Sequence, residues 1–255
     1  MSPFFDSHNV TIIFLPLLAA CGEEQMALDE AIFHYLATMK DASTVTLFVR
    51  CYIWIPATWS LGKLQKDSPS LAAMTKDHPV VRRPTGGRAI LHDNDISFMF
   101  ASNHLELLQL SVNQSYCVFL DWLKQTLEAL KVPLLKSETC LDSAPYQLSD
   151  LCFETHLPSE VLSADGKKLC GMAQARQKKA LLQHGAVFLS QWHISPEAFA
   201  SELFETIQHH CPNAVISEQS VDSIIGLPEL WAESLENSYS ISGESAAFSS
   251  MAVKA

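Results

Sequence analysis

Apolar residues recur every three or four positions in three stretches of the chain, and this spacing predicts three amphipathic helices. The first covers 23–39 and the second covers 114–130. The third begins at Ser195-Pro196, because serine is a good N-cap and proline fits the first turn of a helix. The apolar stripes consist of Leu28, Ile32, Tyr35, Leu36 and Met39; Tyr116, Phe119, Leu120, Leu123, Leu127 and Leu130; and Phe199, Leu203, Phe204 and Ile207.

Shorter apolar runs between these helices predict β-strands at 11–15, 45–54, 89–91 and 96–101. Together the elements predict an α+β fold with a central mixed or antiparallel sheet flanked by helices. A short helix is expected over 227–235. Residues 236–255 are rich in serine and alanine with little apolar pattern, which predicts a disordered tail after a single domain over 1–235.

Composition narrows the class of protein. The 255 residues are 48% hydrophobic and 18% charged, which suits a soluble enzyme with one substantial core. The formal net charge of -11 argues against general nucleic-acid binding. Seven cysteines, an odd number without regular spacing, predict reduced thiols and a cytoplasmic location.

The apolar run 10–21 ends in Leu-Ala-Ala-Cys and superficially resembles an export signal. An export signal begins with a positive region, whereas residues 1–9 contain Asp6 and no lysine or arginine. The run is also too short to span a bilayer. We therefore expect a core strand here and no association with a membrane.

Positive charge is concentrated in two windows, 79–92 and 166–192, which contain no Asp or Glu. In an acidic protein this pattern predicts that the windows meet and face an anionic ligand or partner. Two solvated basic loops are the alternative. The windows contain eight of the seventeen Lys and Arg residues, namely Arg82, Arg83, Arg88, Lys167, Lys168, Arg176, Lys178 and Lys179.

The first window contains the pair Gly86-Gly87, followed by an apolar run that ends at His92-Asp93. Paired glycines adopt positive φ easily and present consecutive backbone N–H groups to an anion. A plain hairpin turn is the alternative. The spacing of a phosphate-binding P-loop is missing, so the glycines alone do not predict nucleotide binding.

Several segments together resemble the lipoate and octanoate transferase and ligase superfamily, which is related to biotin protein ligases. They are 82–93, Met26 to Ala31, Tyr52-Ile53-Trp54 with Ser60-Leu61-Gly62 and Gln65, 166–176, and His184-Gly185, in the family's order. The resemblance implies the catalytic-domain fold of those ligases. It also implies a substrate-binding site formed by Arg82, Arg83, Thr85, Gly86, Gly87, Arg88, His92, Gly171, Ala173, His184 and Gly185.

The Cys152-Phe153 pair is most similar to the octanoyltransferases that use a cysteine nucleophile. The resemblance implies octanoyl transfer from acyl carrier protein, through a thioester on Cys152, to a lysine of a lipoyl domain. The acceptors would be 2-oxoacid dehydrogenases or glycine cleavage H protein, and no cofactor would be needed. A thiolate attacks a thioester and then leaves readily. A nearby Lys168 ammonium would lower the pKa of the thiol or stabilise the acyl oxygen.

Residue spacing alone leaves a second nucleophile open. Cys170 lies two residues from Lys168 and shares its face if the segment is a strand, with Lys167 on the other face. Against Cys170 stands its apolar setting, where a buried thiol is the ordinary outcome. Cys140 is a third candidate. Inert thiols are expected at the remaining cysteines, Cys21, Cys51, Cys117 and Cys211.

His92 and His184 lie next to predicted turns and are candidates to shuttle a proton or to orient a neighbour. The structural alternative for His92 is a hydrogen bond to Asp93 or to the backbone. The structural alternative for His184 is a turn before Gly185. The histidines and cysteines lack metal-ligand spacing, so no metal site is predicted.

Other functions remain open at this level. Met172 and Ala186 stand where the family usually has small or hydroxyl residues, and Arg88 replaces the third glycine of the ligases. The resemblance also allows an ATP-dependent lipoate-protein ligase, which would need ATP and Mg²⁺, or a lipoyl amidotransferase. A non-enzymatic alternative is a protein that binds lipoyl domains or acyl carrier protein and does not need Cys152.

Overall fold

The structure, a computed structural model, describes residues 3–39, 44–135 and 161–239. The strands in these ranges are β1 (Val10–Ala20), β2 (Val45–Trp54), β3 (Thr58–Leu61), β4 (Val80–Arg82), β5 (Ile90–His92), β6 (Ile96–Ser102), β7 (Cys170–Arg176), β8 (Leu181–Val187) and β9 (Val215–Glu218). The helices are α1 (Gly22–Thr38), α2 (Pro69–Thr75), α3 (Leu105–Gln109), α4 (Val112–Ala129), α5 (Pro196–His210) and α6 (Leu227–Ser234).

Six of the described strands form a mixed sheet in the order β7-β8-β6-β2-β1-β9. The strand β1 pairs in parallel with β2 and β9, whereas the pairs β2–β6, β6–β8 and β7–β8 are antiparallel. The predicted α+β fold with a mixed sheet flanked by helices is confirmed.

The two faces of this sheet bury separate apolar layers. Residues of α4 and α5, among them Phe119 and Phe199, pack on one face, while α1 and α6 pack on the other through residues such as Ile32. Phe119, Phe199 and Ile32 are all fully buried. Burying each such side chain stabilises the fold by about 1.5–3 kcal/mol. The apolar stripes therefore mark the sheet-facing sides of the helices.

Local signals place the helix ends. Ser195 accepts a hydrogen bond from the backbone N–H of Ala198, which confirms the predicted N-cap of α5. Ser111 and Gln114 form a capping box, so α4 begins at Val112, slightly before the predicted start. The helix expected over 227–235 is confirmed as α6. The prediction of disorder from 236 is wrong for the first residues of the tail, because a π-helical turn covers Leu235–Tyr239, and 240–255 lie outside the described residues.

The run that resembled an export signal forms β1, a strand with a hydrogen-bonded neighbour on each side. It is longer than predicted, and its register with β2 shifts between Leu15 and Leu18. Pro16 lies in this irregular stretch. Because proline has no N–H to donate to a sheet, it interrupts the regular pairing there. No helix within the described ranges is both long enough and apolar enough to cross a bilayer.

A second sheet, in the order β4-β3-β5, holds the glycine pair. The small core of this sheet contains Trp59, Leu61, Leu71 and Ala89. The glycine pair belongs to the loop 83–89, which connects β4 to β5. This loop is thereby placed beside β7 and β8 of the main sheet, where the candidate site lies.

Candidate active site

A cavity of about 30 Å³ lies between the glycine loop, α1, β2 and the β7–β8 hairpin. This is about the volume that one water molecule occupies in the liquid. Seven of the residues assigned to substrate binding line it, namely Arg83, Gly87, His92, Gly171, Ala173, His184 and Gly185. The two basic windows therefore meet, as the sequence predicted.

The cavity is too small for an eight-carbon chain in this conformation. Met26 and Met172 are among the lining side chains, together with Trp54 and Ile90. Methionine has three flexible torsions and adapts readily to neighbouring groups. An acyl chain would therefore enter by displacing these side chains.

Two glycines give the loop its close packing. A Cβ at Gly62 would lie 2.0 Å from the carbonyl oxygen of Gly87, a distance that no side chain tolerates. Gly87 itself has φ of 92°, in the region that favours glycine. The Gly-Gly pair thus provides a tight turn that packs directly against the turn after β3.

Arg83 holds this loop in place. Its Nε and Nη2 donate to the carbonyl oxygen of Gly86, Nη2 also donates to that of Arg88, and Nη1 donates to the carbonyl and hydroxyl oxygens of Ser60. These contacts account for all five N–H donors of a guanidinium. Arg83 therefore contributes charge to the cavity wall while its hydrogen bonds go to the protein.

The other arginines of the two windows also bind the protein itself. Arg82 donates to the carbonyl oxygens of Gly62 and Gln65 and pairs with Asp67, and Arg88 is buried. Arg176 donates to backbone carbonyls between α3 and α4. The expectation that these windows face an anionic ligand or partner stays a prediction, while the described hydrogen bonds of Arg82, Arg83 and Arg176 go to the protein. The exposed cations are lysines, namely Lys167, Lys178 and Lys179.

His184 lies between two buried partners. Its Nδ1 is 2.7 Å from Asp29 Oδ2, and its Nε2 is 2.6 Å from Thr85 Oγ1. Burial lowers the pKa of His184, although the bond to Asp29 opposes this effect. A neutral imidazole then donates from Nδ1 to Asp29 and accepts at Nε2 from the Thr85 hydroxyl.

Asp29 is the centre of a larger buried network. It pairs with Arg50, whose Nε lies 2.9 Å from Asp29 Oδ1, and it accepts from the Tyr52 hydroxyl at 3.1 Å. Arg50 also donates to Gln25 and stacks on the Tyr52 ring. The two buried charges compensate each other as an ion pair, although Arg50 Nη1 has no hydrogen-bond partner among the described residues. The network fixes α1 against β2 and β8.

His92 forms a second chain of contacts on the cavity wall. Its Nδ1 is 2.9 Å from Asp95 Oδ2 and its Nε2 is 2.8 Å from Ser60 Oγ. Trp54 stacks on the imidazole with the ring centroids 4.0 Å apart. The partner proposed from sequence was Asp93, and this was wrong, because the turn after β5 points Asp95 back toward the ring.

The cysteines differ in accessibility. Cys170 is 3% exposed within the core layer that α4 and α5 cover, so its sulfur is buried away from solvent. Burial raises the pKa of Cys51 and of Cys211 to about 12, and that of half-buried Cys21 to about 12, as expected of inert thiols. Cys117 is disulfide-bonded, so the expectation of a reduced thiol there is wrong.

Lys168 lies just before β7, where its backbone bridges to Leu162, and it is half-buried. The described lining of the cavity does not include Lys168, Arg82, Thr85, Gly86 or Arg88. Cys152 and Cys140 fall in 136–160, outside the described residues. The proximity of Cys152 to Lys168 therefore stays a prediction. As for metal binding, no group of three His, Cys, Asp or Glu side chains within the described ranges is placed to hold a metal ion.

Sequence reasoning missed Ser60, Asp95 and Ser97 as members of the site. Ser97 donates to Asp95 and accepts from the Trp54 indole N–H, which completes the support of His92. The signal in the sequence was weak, because Asp95 is separated from His92 by a turn and Ser60 lies on another strand. Only the pairing of β3 with β5 brings Ser60 close to His92.

The arrangement of these motifs agrees with a match to a protein-family model. Residues 22–224 match the lipoyl protein ligase A/B catalytic domain, a range that contains the glycine loop, both histidines and Cys152. The chain belongs to this family.

Among curated relatives, the octanoyltransferase LipM of Exiguobacterium sp. is 33% identical over 175 residues, which cover 66% of this chain. The LipM of Brevibacillus brevis is 31% identical over 206 residues, or 78% of this chain and 70% of the relative. The LipM of Bacillus subtilis is 31% identical over 73% of this chain and 64% of the relative. The match spans 62% of the length of the Exiguobacterium protein.

Solved structures show the same fold at low sequence identity. A lipoate-protein ligase A bound with ATP is 16% identical, with a TM-score of 0.63 over 89% of this chain and 94% of the other. A structure described as a bi-partite lipoate protein ligase and its E2 lipoyl domain from Thermoplasma acidophilum gives a TM-score of 0.61 at 16% identity over 89% of this chain and 92% of the other. At this identity the likeness shows the fold alone.

Proposed function

We propose that the protein transfers an octanoyl group from acyl carrier protein to a lysine of a lipoyl domain, through a thioester on Cys152. The acceptors are lipoyl domains of 2-oxoacid dehydrogenases or glycine cleavage H protein. The similarity to octanoyltransferases over about two thirds of the chain carries this proposal. Transfer from a thioester to the Cys152 thiol and then to a lysine amine requires no ATP or metal, since a thioester is already an activated acyl group.

The site supports the proposal in two ways. The cavity is lined by apolar side chains and by a few fixed polar groups, as a site for an acyl chain with one reactive end requires. The burial of Cys170 argues against it as the nucleophile. Cys152, which lies nine positions before the described segment that begins at 161, is then the better candidate.

The ligase alternative is less well supported by the contacts of the arginines. An ATP-dependent ligase holds a triphosphate, for which guanidinium donors are one common kind of ligand beside lysine and backbone N–H groups. The donors of Arg83 and the bonds of Arg82 go to backbone carbonyls and Asp67 instead. This leaves thioester transfer as the function that the geometry fits best.

The test is to incubate the reduced protein with octanoyl acyl carrier protein, without ATP, and to measure its intact mass. We expect one octanoyl adduct that Cys152→Ser abolishes and that the control Cys211→Ser, at a buried thiol, retains. Addition of an apo-lipoyl domain should then discharge the adduct onto lysine.

Each alternative gives a different result in the same assay. An adduct that persists in Cys152→Ser and disappears in Cys170→Ser would move the nucleophile to Cys170. Modification of the lipoyl domain only with free octanoate and ATP would select the ligase. Binding of the carrier or the lipoyl domain without turnover of either donor would select the non-enzymatic function.

A further inference from the structure

The two halves of the proposed reaction differ in their need for a base. In the first half Cys152 attacks as the thiolate, which a nearby Lys168 ammonium would favour, so the attack itself removes no proton from the nucleophile. In the second half a lysine amine attacks the thioester, and its nitrogen must lose a proton to become an amide. A group that accepts this proton is therefore needed only in the second half, and the inference below rests on the proposed function.

The chain of atoms that runs through Ser60, His92 and Asp95 has the geometry to accept it. Ser60 Oγ lies 2.8 Å from His92 Nε2, and His92 Nδ1 lies 2.9 Å from Asp95 Oδ2. All of these groups are buried, and Ser60 and His92 line the cavity. A hydroxyl, an imidazole and a carboxylate in this order can pass a proton along hydrogen bonds.

The direction of these bonds follows from Arg83. Its Nη1 lies 3.1 Å from Ser60 Oγ, and a guanidinium can only donate. Ser60 Oγ therefore accepts from Arg83 and gives its own proton to His92 Nε2. His92 is then the tautomer with its proton on Nδ1, where Asp95 accepts it, and Nε2 is the site that receives a further proton.

His184 differs from His92 in this respect. Both of its nitrogens are bonded to Asp29 and Thr85, and Thr85 is fully buried and outside the described lining of the cavity. His184 thus has no hydroxyl partner at the cavity through which a substrate proton would reach it. The two histidines have similar carboxylate partners but different connections to the cavity.

We infer that Ser60, His92 and Asp95 form a proton relay for the attack of the acceptor amine. The amine nitrogen forms the new C–N bond, the C–S bond to Cys152 breaks, and sulfur leaves as the thiolate. The proton from nitrogen passes to Ser60 Oγ while the Ser60 proton passes to His92 Nε2. Asp95 stabilises the imidazolium, which later returns its proton to the solvent or to the thiolate.

The charged and titratable groups around His92 are compatible with this role. Asp95 bonds directly to the ring, the Arg83 guanidinium lies beyond Ser60, and His184 faces the same cavity from β8. The ring thus has a carboxylate at Nδ1 and a hydroxyl at Nε2, which is the arrangement that a proton relay requires.

The relay is tested by measuring the two half-reactions separately. Acyl-enzyme is formed from octanoyl acyl carrier protein, and its discharge to an apo-lipoyl domain is then followed by rapid quench and intact mass. In Ser60→Ala and His92→Gln we expect discharge to slow by about 10²–10⁴-fold. Formation should slow much less, so that acyl-enzyme accumulates, and the exposed control Ser223→Ala should leave both steps unchanged.

Two further measurements separate proton transfer from a structural effect. The conservative change Ser60→Thr, which keeps a hydroxyl, should restore much of the discharge rate lost in Ser60→Ala. The discharge rate of the wild type should change with pH, and this pH dependence should be missing in His92→Gln.

Equal slowing of formation and discharge, or normal discharge in both variants, would overturn the relay alone. A wild-type protein that forms no acyl-enzyme would overturn the proposed function, and the relay with it. Acyl-enzyme accumulation in Lys168→Ala together with normal discharge in His92→Gln would identify Lys168 as the base instead.

Discussion

Thr85 and His184 are 99 positions apart in the sequence, and Thr85 Oγ1 lies 2.6 Å from His184 Nε2. The bond joins the glycine loop of the small sheet to β8 of the main sheet. Because His184 is held from its other side by Asp29 of α1, one imidazole ties three elements together. The position of the loop over the cavity thus depends on a neutral, fully bonded histidine.

Removal of the Thr85 hydroxyl tests this connection. Thr85→Val keeps the shape of the side chain but leaves His184 Nε2 buried without a donor. We expect the free energy of unfolding to fall by about 1–3 kcal/mol, as measured by urea denaturation. Thr85→Ser, which keeps the hydroxyl, should lose clearly less free energy of unfolding than Thr85→Val. Equal stability of Thr85→Val and wild type would contradict the bond.

The stability of the protein should depend on pH through His184. Burial lowers its pKa below 6.5, so near and below that pH the unfolded chain binds a proton that the folded protein does not bind. The free energy of unfolding should therefore be highest above pH 6.5 and should decrease as the pH falls below that value. Buried His104, with a pKa lowered for the same reason, adds to this trend.

Urea denaturation at about pH 7.5 and about pH 5.5 measures this dependence. His184→Gln should reduce the difference in stability between the two conditions, whereas His8→Gln, at an exposed histidine, should not. A difference that is as large in His184→Gln as in the wild type would assign the effect to other groups.

The close approach of Gly62 to the glycine loop gives a steric prediction. In Gly62→Ala the new Cβ would meet the Gly87 carbonyl at 2.0 Å, so the loop must shift. We expect a loss of about 1–3 kcal/mol in stability and a marked loss of octanoyl transfer. Gly86→Ala is the matched control, because a Cβ there meets no atom within 4 Å, and its stability should stay within about 0.5 kcal/mol.

Replacing Arg83 by lysine tests how much the number of hydrogen bonds from this side chain matters for stability. A lysine at this position keeps the charge but has only three donors and no planar fork, so buried carbonyls of the loop would lose their partners. Arg83→Lys should cost at least about 2 kcal/mol in the free energy of unfolding. Arg82→Lys, at a side chain that is 39% exposed, should cost less than about 1 kcal/mol. Similar losses in the two variants would refute the proposed support of the loop.

The elements with clear periodicity could be predicted from the sequence, and the contacts of the site could not. The stripe that contains Ile32 and the Ser195 cap led to helices with nearly correct ends, because those signals are local. The partner of His92 was assigned to the adjacent Asp93, whereas the structure gives Asp95, since the orientation of a carboxylate after a turn depends on the turn.

The role of the arginines shows the same limit. The concentration of positive charge in two windows of an acidic chain predicted correctly that these windows meet. It did not reveal that Arg83 is buried with its donors turned to the loop. Whether a guanidinium faces solvent or carbonyl oxygens is set by the packing around it.

The sequence by itself determined the fold class, the main helices and strands, and the family, because hydrophobic periodicity and short motifs are properties of neighbouring residues. The tertiary structure alone decided which groups meet at the cavity, namely Ser60 with His92 and Asp95, and Thr85 with His184 and Asp29. Those groups come from strands and helices distant in sequence. Their distances depend on sheet register and helix packing, which no local pattern encodes.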